Sequence, residues 1–422
     1  MRSSTGTRGR RGTAVLLVGA LALAGCASAG PEPRQQRAEV EFLGVAAEAA
    51  DFDGAALSRL AADLLAQSPD KNSVLSPLSI MLALAMLREG ASGESAAQLD
   101  AVLGLDPENP GEAVADLRAR LGELDGEVGT IDRKEPPESP LLHLADALFV
   151  APDLELGPGF LERVARFHDA GVDEADFRGG KAKALLDAWV RRETGGLVEE
   201  APSEPAPETK LVLMNAVLLA ARWAEPFDPA NTFPSDFTRA DGSTVKPETM
   251  VDLSTRRFAE GPGWRAVELP YVGGGLAMIL ALPDEGAGPL TAQQWDEVRA
   301  GISSQSSTSK VVLWLPRWEL STALDLKKAL PPLGIERVFA YTGELDGVFP
   351  EAFVSGASHV ASITVAEKGT VAAAVTQVEA EAGSAPEIDV ELRLDRPFDF
   401  QIVVGQGMVP VFAGHVADPT AG

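Results

Sequence analysis

The stretch Glu367-Lys368-Gly369-Thr370-Val371-Ala372-Ala373-Ala374-Val375-Thr376 reads EKGTVAAAVT and lies about fifty residues before the C-terminus. Every second residue from Thr370 is small: Thr370, Ala372, Ala374, Thr376, Val378, Ala380 and Ala382. The interleaved set, Val371, Ala373, Val375, Gln377, Glu379 and Glu381, grows polar as it proceeds. Period-two alternation of this kind marks a strand with one buried and one wet face. Alanine and glycine are nevertheless poor strand formers. The segment therefore reads as one able to enter a sheet whose slot has no room for large side chains. On composition alone an alanine-rich surface loop is the competing reading.

Outward from this stretch, local punctuation is clear. Ala55 to Gln67 repeats apolar residues at helical spacing and stops before Ser68-Pro69. Ser76 suits an N-cap, Pro77 the first helical position, and Gly90 a terminus. The residues between them are apolar on nearly all sides, which predicts a buried helix. A further helix is predicted over Glu94–Leu103, and others over Gly159–Ala170 and Lys181–Glu193. Gly126–Pro140 and the acidic, proline-rich Glu199–Glu208 read as loops. Strands are expected at Leu141–Val150 and Leu211–Ala220, with a hairpin of Trp264–Pro270 and Leu276–Leu282 about three glycines. Helices dominate the first half and strands the second, which favours an α+β domain. No internal repeat is visible.

Five stretches carry a family resemblance in order and spacing. They are Asn72–Ser95 (NSVLSPLSIMLALAMLREGASGES), Thr209–Phe227 (TKLVLMNAVLLAARWAEPF), Ala266–Gly286, Leu326–Phe339 and Arg396–Pro419. Together with EKGTVAAAVT they resemble the serpins, protease inhibitors whose reactive loop inserts into their own main sheet. The resemblance spans about residue 50 to the end. It implies three β-sheets with about eight or nine helices and an exposed reactive-centre loop.

For function, the resemblance implies a suicide mechanism against serine proteases, with cysteine proteases as a second class. Glu367, Gly369, Thr370, Ala372, Ala373, Ala374 and Thr376 take the places of the inhibitory hinge. Counting on from Glu367 puts the scissile bond at Gly383-Ser384. Counting back from Arg396-Pro397-Phe398 gives Pro386, so this loop is about three residues longer than the common form. Ala382, Gly383, Ser384 and Ala385 are the scissile-bond candidates. No Arg or Lys lies between Lys368 and Arg393, which disfavours a trypsin-like target and favours an elastase-like or subtilisin-like one. Glu379 or Glu381 would suit a Glu-specific protease. Ser76, Ser79, Asn215 and His359 resemble the shutter, the polar cluster beneath the sheet where strands part. Trp223 resembles the tryptophan at the breach, where insertion begins.

Departures from the family pattern are Ala220-Ala221 before Trp223, Asp146 where Asn is common, and Asp399, which interrupts the apolar pattern after Pro397-Phe398. A serine hydrolase built on Ser76 and His359 is disfavoured, because Ser76 reads as a helix cap and no nucleophile elbow is present. A non-inhibitory serpin acting as a surface binding or structural lipoprotein is the alternative function.

Bulk composition excludes other classes. Hydrophobic content of 45% is ample for a large core. The net charge of −26, from 36 basic and 62 acidic residues, argues against a nucleic-acid partner. No GxGxxG, Walker A, HExxH, CxxC or GxSxG pattern is present, so no metal or cofactor is expected. At the N-terminus, Arg2, Arg8, Arg10 and Arg11 precede an apolar run from Ala14 to Ala24, as in a signal peptide. LAGC, Leu23–Cys26, resembles the bacterial lipobox, and Cys26 is the single cysteine. The expected organisation is a lipoprotein-type signal peptide over 1–25, a lipidated Cys26 and flexible tether over 26–45, and a serpin domain over 46–422 with its reactive loop at about 367–390. The expected product is an exported, membrane-anchored lipoprotein, monomeric, whose partner is a target serine protease.

Overall fold

Helix α2 (Pro77–Arg88) lies at the centre of the fold, and its own residues explain why. The Ser76 hydroxyl accepts the Ser79 N–H at 3.0 Å, Pro77 opens the first turn, and every residue from Pro77 to Leu87 is buried. The computed structural model describes residues 34–44, 54–126, 128–130, 135–179, 181–304, 308–370, 388–405 and 407–421. Cys26 lies outside these residues. So do Ala372, Ala373, Ala374 and Thr376 of the hinge, and the scissile-bond candidates Ala382, Gly383, Ser384 and Ala385.

Seven strands form sheet A, in the order β1 (Gln35–Gln36), β4 (Val172–Glu174), β3 (Leu141–Val150), β5 (Leu211–Arg222), β15 (Gly369–Thr370), β14 (Gly356–Ala366) and β13 (Trp318–Asp325). Strand β5 is buried from Leu211 to Ala221, as a run apolar but for Asn215 on a central strand should be. The second layer is organised by the long β9 (Glu248–Gly261). Its last residues, Phe258–Gly261, pair with β10 (Trp264–Pro270). From β10, sheet B continues through β11 (Leu276–Pro283), β17 (Phe398–Val404), β18 (Val409–Val416) and β2 (Ser73–Leu75). The earlier part of β9 pairs with β12 (Thr308–Pro316) and β6 (Thr232–Pro234), and β12 pairs with β16 (Val390–Arg393), forming sheet C. β7 (Phe237–Thr238) and β8 (Thr244–Val245) make a short hairpin.

Eight α-helices occur among the described residues: α2 together with α1 (Ala55–Leu65), α3 (Gly93–Leu103), α4 (Pro110–Leu121), α5 (Pro158–His168), α6 (Ala182–Glu193), α7 (Ala292–Ser303) and α8 (Leu326–Ala329). The expected helices and the Trp264–Leu282 hairpin fall within a few residues of their predicted places. Val128–Thr130 adds a 3₁₀ turn inside the predicted Gly126–Pro140 loop. The length of β9 was not foreseen, because ETMVDLSTRRFAEG shows no sustained alternation: its two halves serve different sheets.

Asp399 does not disturb the packing of β17. Its carboxylate accepts the Leu290 N–H at 2.5 Å and lies 2.6 Å from His415 Nδ1, so the buried charge is met from two directions.

Candidate functional site at the top of sheet A

Strands β5 and β14 pair in parallel from Val212–Gly356 to Val217–Ala361. Above that they part, and β15 lies between them. Thr370 pairs with Val365 on one side and Ala221 on the other; Gly369 pairs with Ala366 and Arg222. Gly369 and Thr370 thus enter the sheet at its top, while the ladder below is closed. Position 369 accepts only glycine. Its φ is +152°, and a Cβ there would stand 2.1 Å from the Ala221 carbonyl oxygen.

Side chains hold this entry in place. Trp223 donates its indole N–H to the Ala366 carbonyl at 2.9 Å and its backbone N–H to the Lys368 carbonyl at 3.0 Å. The Phe227 N–H bonds the Glu367 carbonyl at 2.9 Å. Trp223 stacks on Tyr271 with ring centroids 4.5 Å apart, and the Tyr271 hydroxyl meets Thr370 Oγ1 at 2.6 Å. Burial pushes the Tyr271 phenol far above its usual range, against the opposing effect of that bond, so it stays neutral. The Glu367 side chain, 2% exposed, takes two donors from Arg317 and the Thr232 hydroxyl at 2.7 Å. Lys368 and Arg222 both reach Glu135. Glu367, Gly369, Thr370 and Trp223 are therefore brought together as one assembly. Arg317, Tyr271, Thr232 and Glu135 were missed, since nothing in their local sequence marks them.

The second cluster lies beneath the paired part of β5 and β14. His359 Nε2 accepts the Ser76 backbone N–H at 2.9 Å, so its proton is on Nδ1 and is donated to Asn215 Oδ1. The Asn215 amide is shared by the Ser79 carbonyl at 2.8 Å, the Ser79 hydroxyl and Asp146. His359 is fully buried, and burial lowers its pKa to about 3. Its Nε2 faces a backbone N–H rather than the Ser76 hydroxyl, an arrangement without the serine–histidine bond that a nucleophile requires. Asp146, at the position that departs from the family's Asn, is matched by Arg118 of α4 at 2.5 Å. Burial raises the Asp146 pKa, while Arg118 and Asn215 pull it back.

Helix α6 packs across the face of sheet A through Leu186, Trp189 and Val190, against Phe149, Val212 and Met214. His143 of β3 ties the helix down, with Nε2 3.0 Å from Glu193 and Nδ1 2.8 Å from Asp125. Burial resists charging of His143, but the two carboxylates outweigh it and its pKa is raised. The stabilisation is full below the ordinary histidine pKa and is lost as pH rises through the folded one. The stability difference between the wild type and His143→Gln is expected to shrink between pH 6 and pH 8. Urea unfolding at both values checks it, and a constant difference would show that folding does not raise the His143 pKa.

Two strands of one sheet parted by Gly369 and Thr370, a tryptophan–tyrosine stack above and an asparagine–histidine cluster below define the class of molecule. The sequence model of the family "Serpin (serine protease inhibitor)" matches residues 56–419. The chain is 32% identical over 367 residues to bovine (Bos taurus) plasminogen activator inhibitor 1, covering 83% of this chain and 88% of that protein. Alpha-1-antitrypsin 1-2 of Mus musculus is 33% identical, with 85% and 86% covered. In three dimensions the native-state crystal structure of the thermophilic serpin tengpin superposes with a TM-score of 0.78 at 23% identity, covering 92% of this chain and all of that one. The chain belongs to the serpin family.

Proposed function

We propose that this protein is an irreversible, suicide-substrate inhibitor of serine proteases, cysteine proteases being the second class. The observation that carries the reading is the insertion of Gly369 and Thr370 between β5 and β14 above a closed parallel ladder. The target's nucleophile attacks a carbonyl of the loop within 382–386, forming an acyl-enzyme and releasing the C-terminal amine. The freed arm then extends β15 downward, antiparallel to both neighbours. One parallel ladder is lost and two antiparallel ladders form, the more stable kind per residue. A net gain of about ten backbone bonds at ~1 kcal/mol each amounts to roughly 10 kcal/mol. Continued at period two, the Thr370 face also takes Ala372, Ala374 and Thr376. Small size is required there because the slot lies over the packed core.

The loop's lack of basic residues favours an elastase-like or subtilisin-like target. The domain boundaries at 25 and 45 and lipid attachment at Cys26 belong to the same reading: an exported inhibitor, monomeric, held at the cell envelope. Among the described residues no helix is long and apolar enough to cross a membrane; the anchor in this reading is the lipid on Cys26.

The test uses the protein with subtilisin- and elastase-type proteases on denaturing gels. A denaturant-resistant complex is expected for the wild type, and cleavage without complex for Ala372→Arg, which would bury an unpaired charge on insertion. Clean cleavage of the wild type by every protease of a broad panel overturns the reading.

A further inference from the structure

Asp399 of β17 and His415 of β18 stand opposite each other in sheet B and take no part in the inhibitory assembly. They are 0% and 2% exposed. In the neutral imidazole, with Asp399 accepting at Nδ1, the lone pair is on Nε2. That Nε2 is buried without a hydrogen-bond partner, a condition native chains rarely leave without a use. His415 is also the one buried residue lining a cleft of about 670 Å³. The cleft lies between the β7–β8 turn (Thr238–Gly242), the loop after β11 (Asp284–Gly288) and Asp395–Pro397.

Charge in the cleft selects its occupant. Arg239 is held by Asp418 at 2.6 Å, and Arg396 by the Pro283 carbonyl at 2.8 Å and Asp395 at 3.3 Å. The carboxylates of Asp70, Asp284 and Glu285, all on exposed residues, complete the lining. A buried lining imidazole whose Nε2 has no partner, under an acidic rim, calls for a cation that donates hydrogen bonds. An anion would be repelled by the rim, and an apolar molecule would leave Nε2 unmet. Among the described residues no group of three His, Cys, Asp or Glu side chains is placed to hold a metal ion.

We propose that this cleft binds a small organic cation bearing a primary ammonium, one N–H donated to His415 Nε2 and the charge set against Asp70, Asp284 and Glu285. The site is independent of the reactive loop. Its binding is read without any protease, so its failure leaves the inhibitory reading untouched.

The experiment follows the imidazole nitrogens of the full chain by NMR at mildly alkaline pH. The chain has four histidines, and His415→Gln assigns the signal of interest. Putrescine is the free-amine probe, acetyl-lysine amide represents a peptide side chain, and butane-1,4-diol is the neutral control. A saturable shift of His415 Nε2 with putrescine, and none with the diol, is the expected result. An equal or larger response to acetyl-lysine amide would also support the ammonium site and assign its source to protein side chains. The double variant Asp284→Asn, Glu285→Gln lies on an exposed loop and is expected to weaken binding about tenfold. Absence of a saturable shift with either ammonium probe, an equal response to the diol, or unchanged affinity in the double variant would overturn the proposal.

Discussion

Replacing Arg317 with methionine is expected to destabilise the protein more than replacing its partner Glu367 with glutamine. The asymmetry follows from burial: the Glu367 side chain is 2% exposed and that of Arg317 is 28% exposed. Without Arg317, a carboxylate at the root of the hinge keeps only the Thr232 hydroxyl. Stranding a buried charge in this way costs about 3–5 kcal/mol. Glu367→Gln still offers an oxygen to Thr232 and Arg317, and the partly exposed guanidinium can turn to water, so the loss is nearer 1–2 kcal/mol. Denaturant midpoints of the two variants measure the difference. Equal losses would mean that Arg317 contributes packing rather than charge neutralisation. The hinge turn sits on this pair, so Arg317→Met is also expected to loosen Gly369 and Thr370 between the strands.

Asn215→Leu should produce a loss of comparable size at the other end of the slot. Asn215 is the hub of its cluster, accepting from His359 and donating to Ser79 and Asp146. A leucine of similar volume leaves the His359 Nδ1–H and an Asp146 oxygen unmet in a buried site. At about 1–3 kcal/mol for each stranded group the expected cost is roughly 3–5 kcal/mol. The same cluster sets an acid limit on the fold. His359 is neutral when folded, with a pKa of about 3 against the ordinary 6.5, because burial penalises its charged form. Between those values the unfolded chain binds the extra proton. Stability is therefore full above pH 6.5 and declines toward pH 3, by about 1.4 kcal/mol per pH unit at most. His168, whose pKa burial also lowers, adds to the same slope. His359→Gln should show a shallower decline than the wild type in urea unfolding from pH 7 to pH 5. Parallel profiles would remove His359 as a source of acid lability.

The helices and the central strands were legible because their signals are local. Ser76, Pro77 and the apolar run after them specify a capped, buried helix wherever that segment is placed. The same holds for Leu211 to Ala221, apolar apart from Asn215, which the family resemblance rather than the local pattern singled out. Asp146 and Asp399 were visible only as departures, since a carboxylate in an apolar pattern announces that something must meet it and not what. Arg118 comes from 28 residues before Asp146, and His415 from 16 after Asp399. The Arg317–Glu367 and Tyr271–Thr370 contacts join residues 50 and 99 positions apart.

The sequence by itself determined that alternate residues from Thr370 to Thr376 are small enough to enter a sheet and that α2 and β5 are buried, because size and hydrophobic period are properties of each segment alone. Only the tertiary structure decided where β5 and β14 part, that Gly369 and Thr370 already occupy the opening, and which partners meet the carboxylates of Glu367, Asp146 and Asp399. Those outcomes depend on the register between distant strands and on partners drawn from separate segments, and no local pattern of residues encodes either.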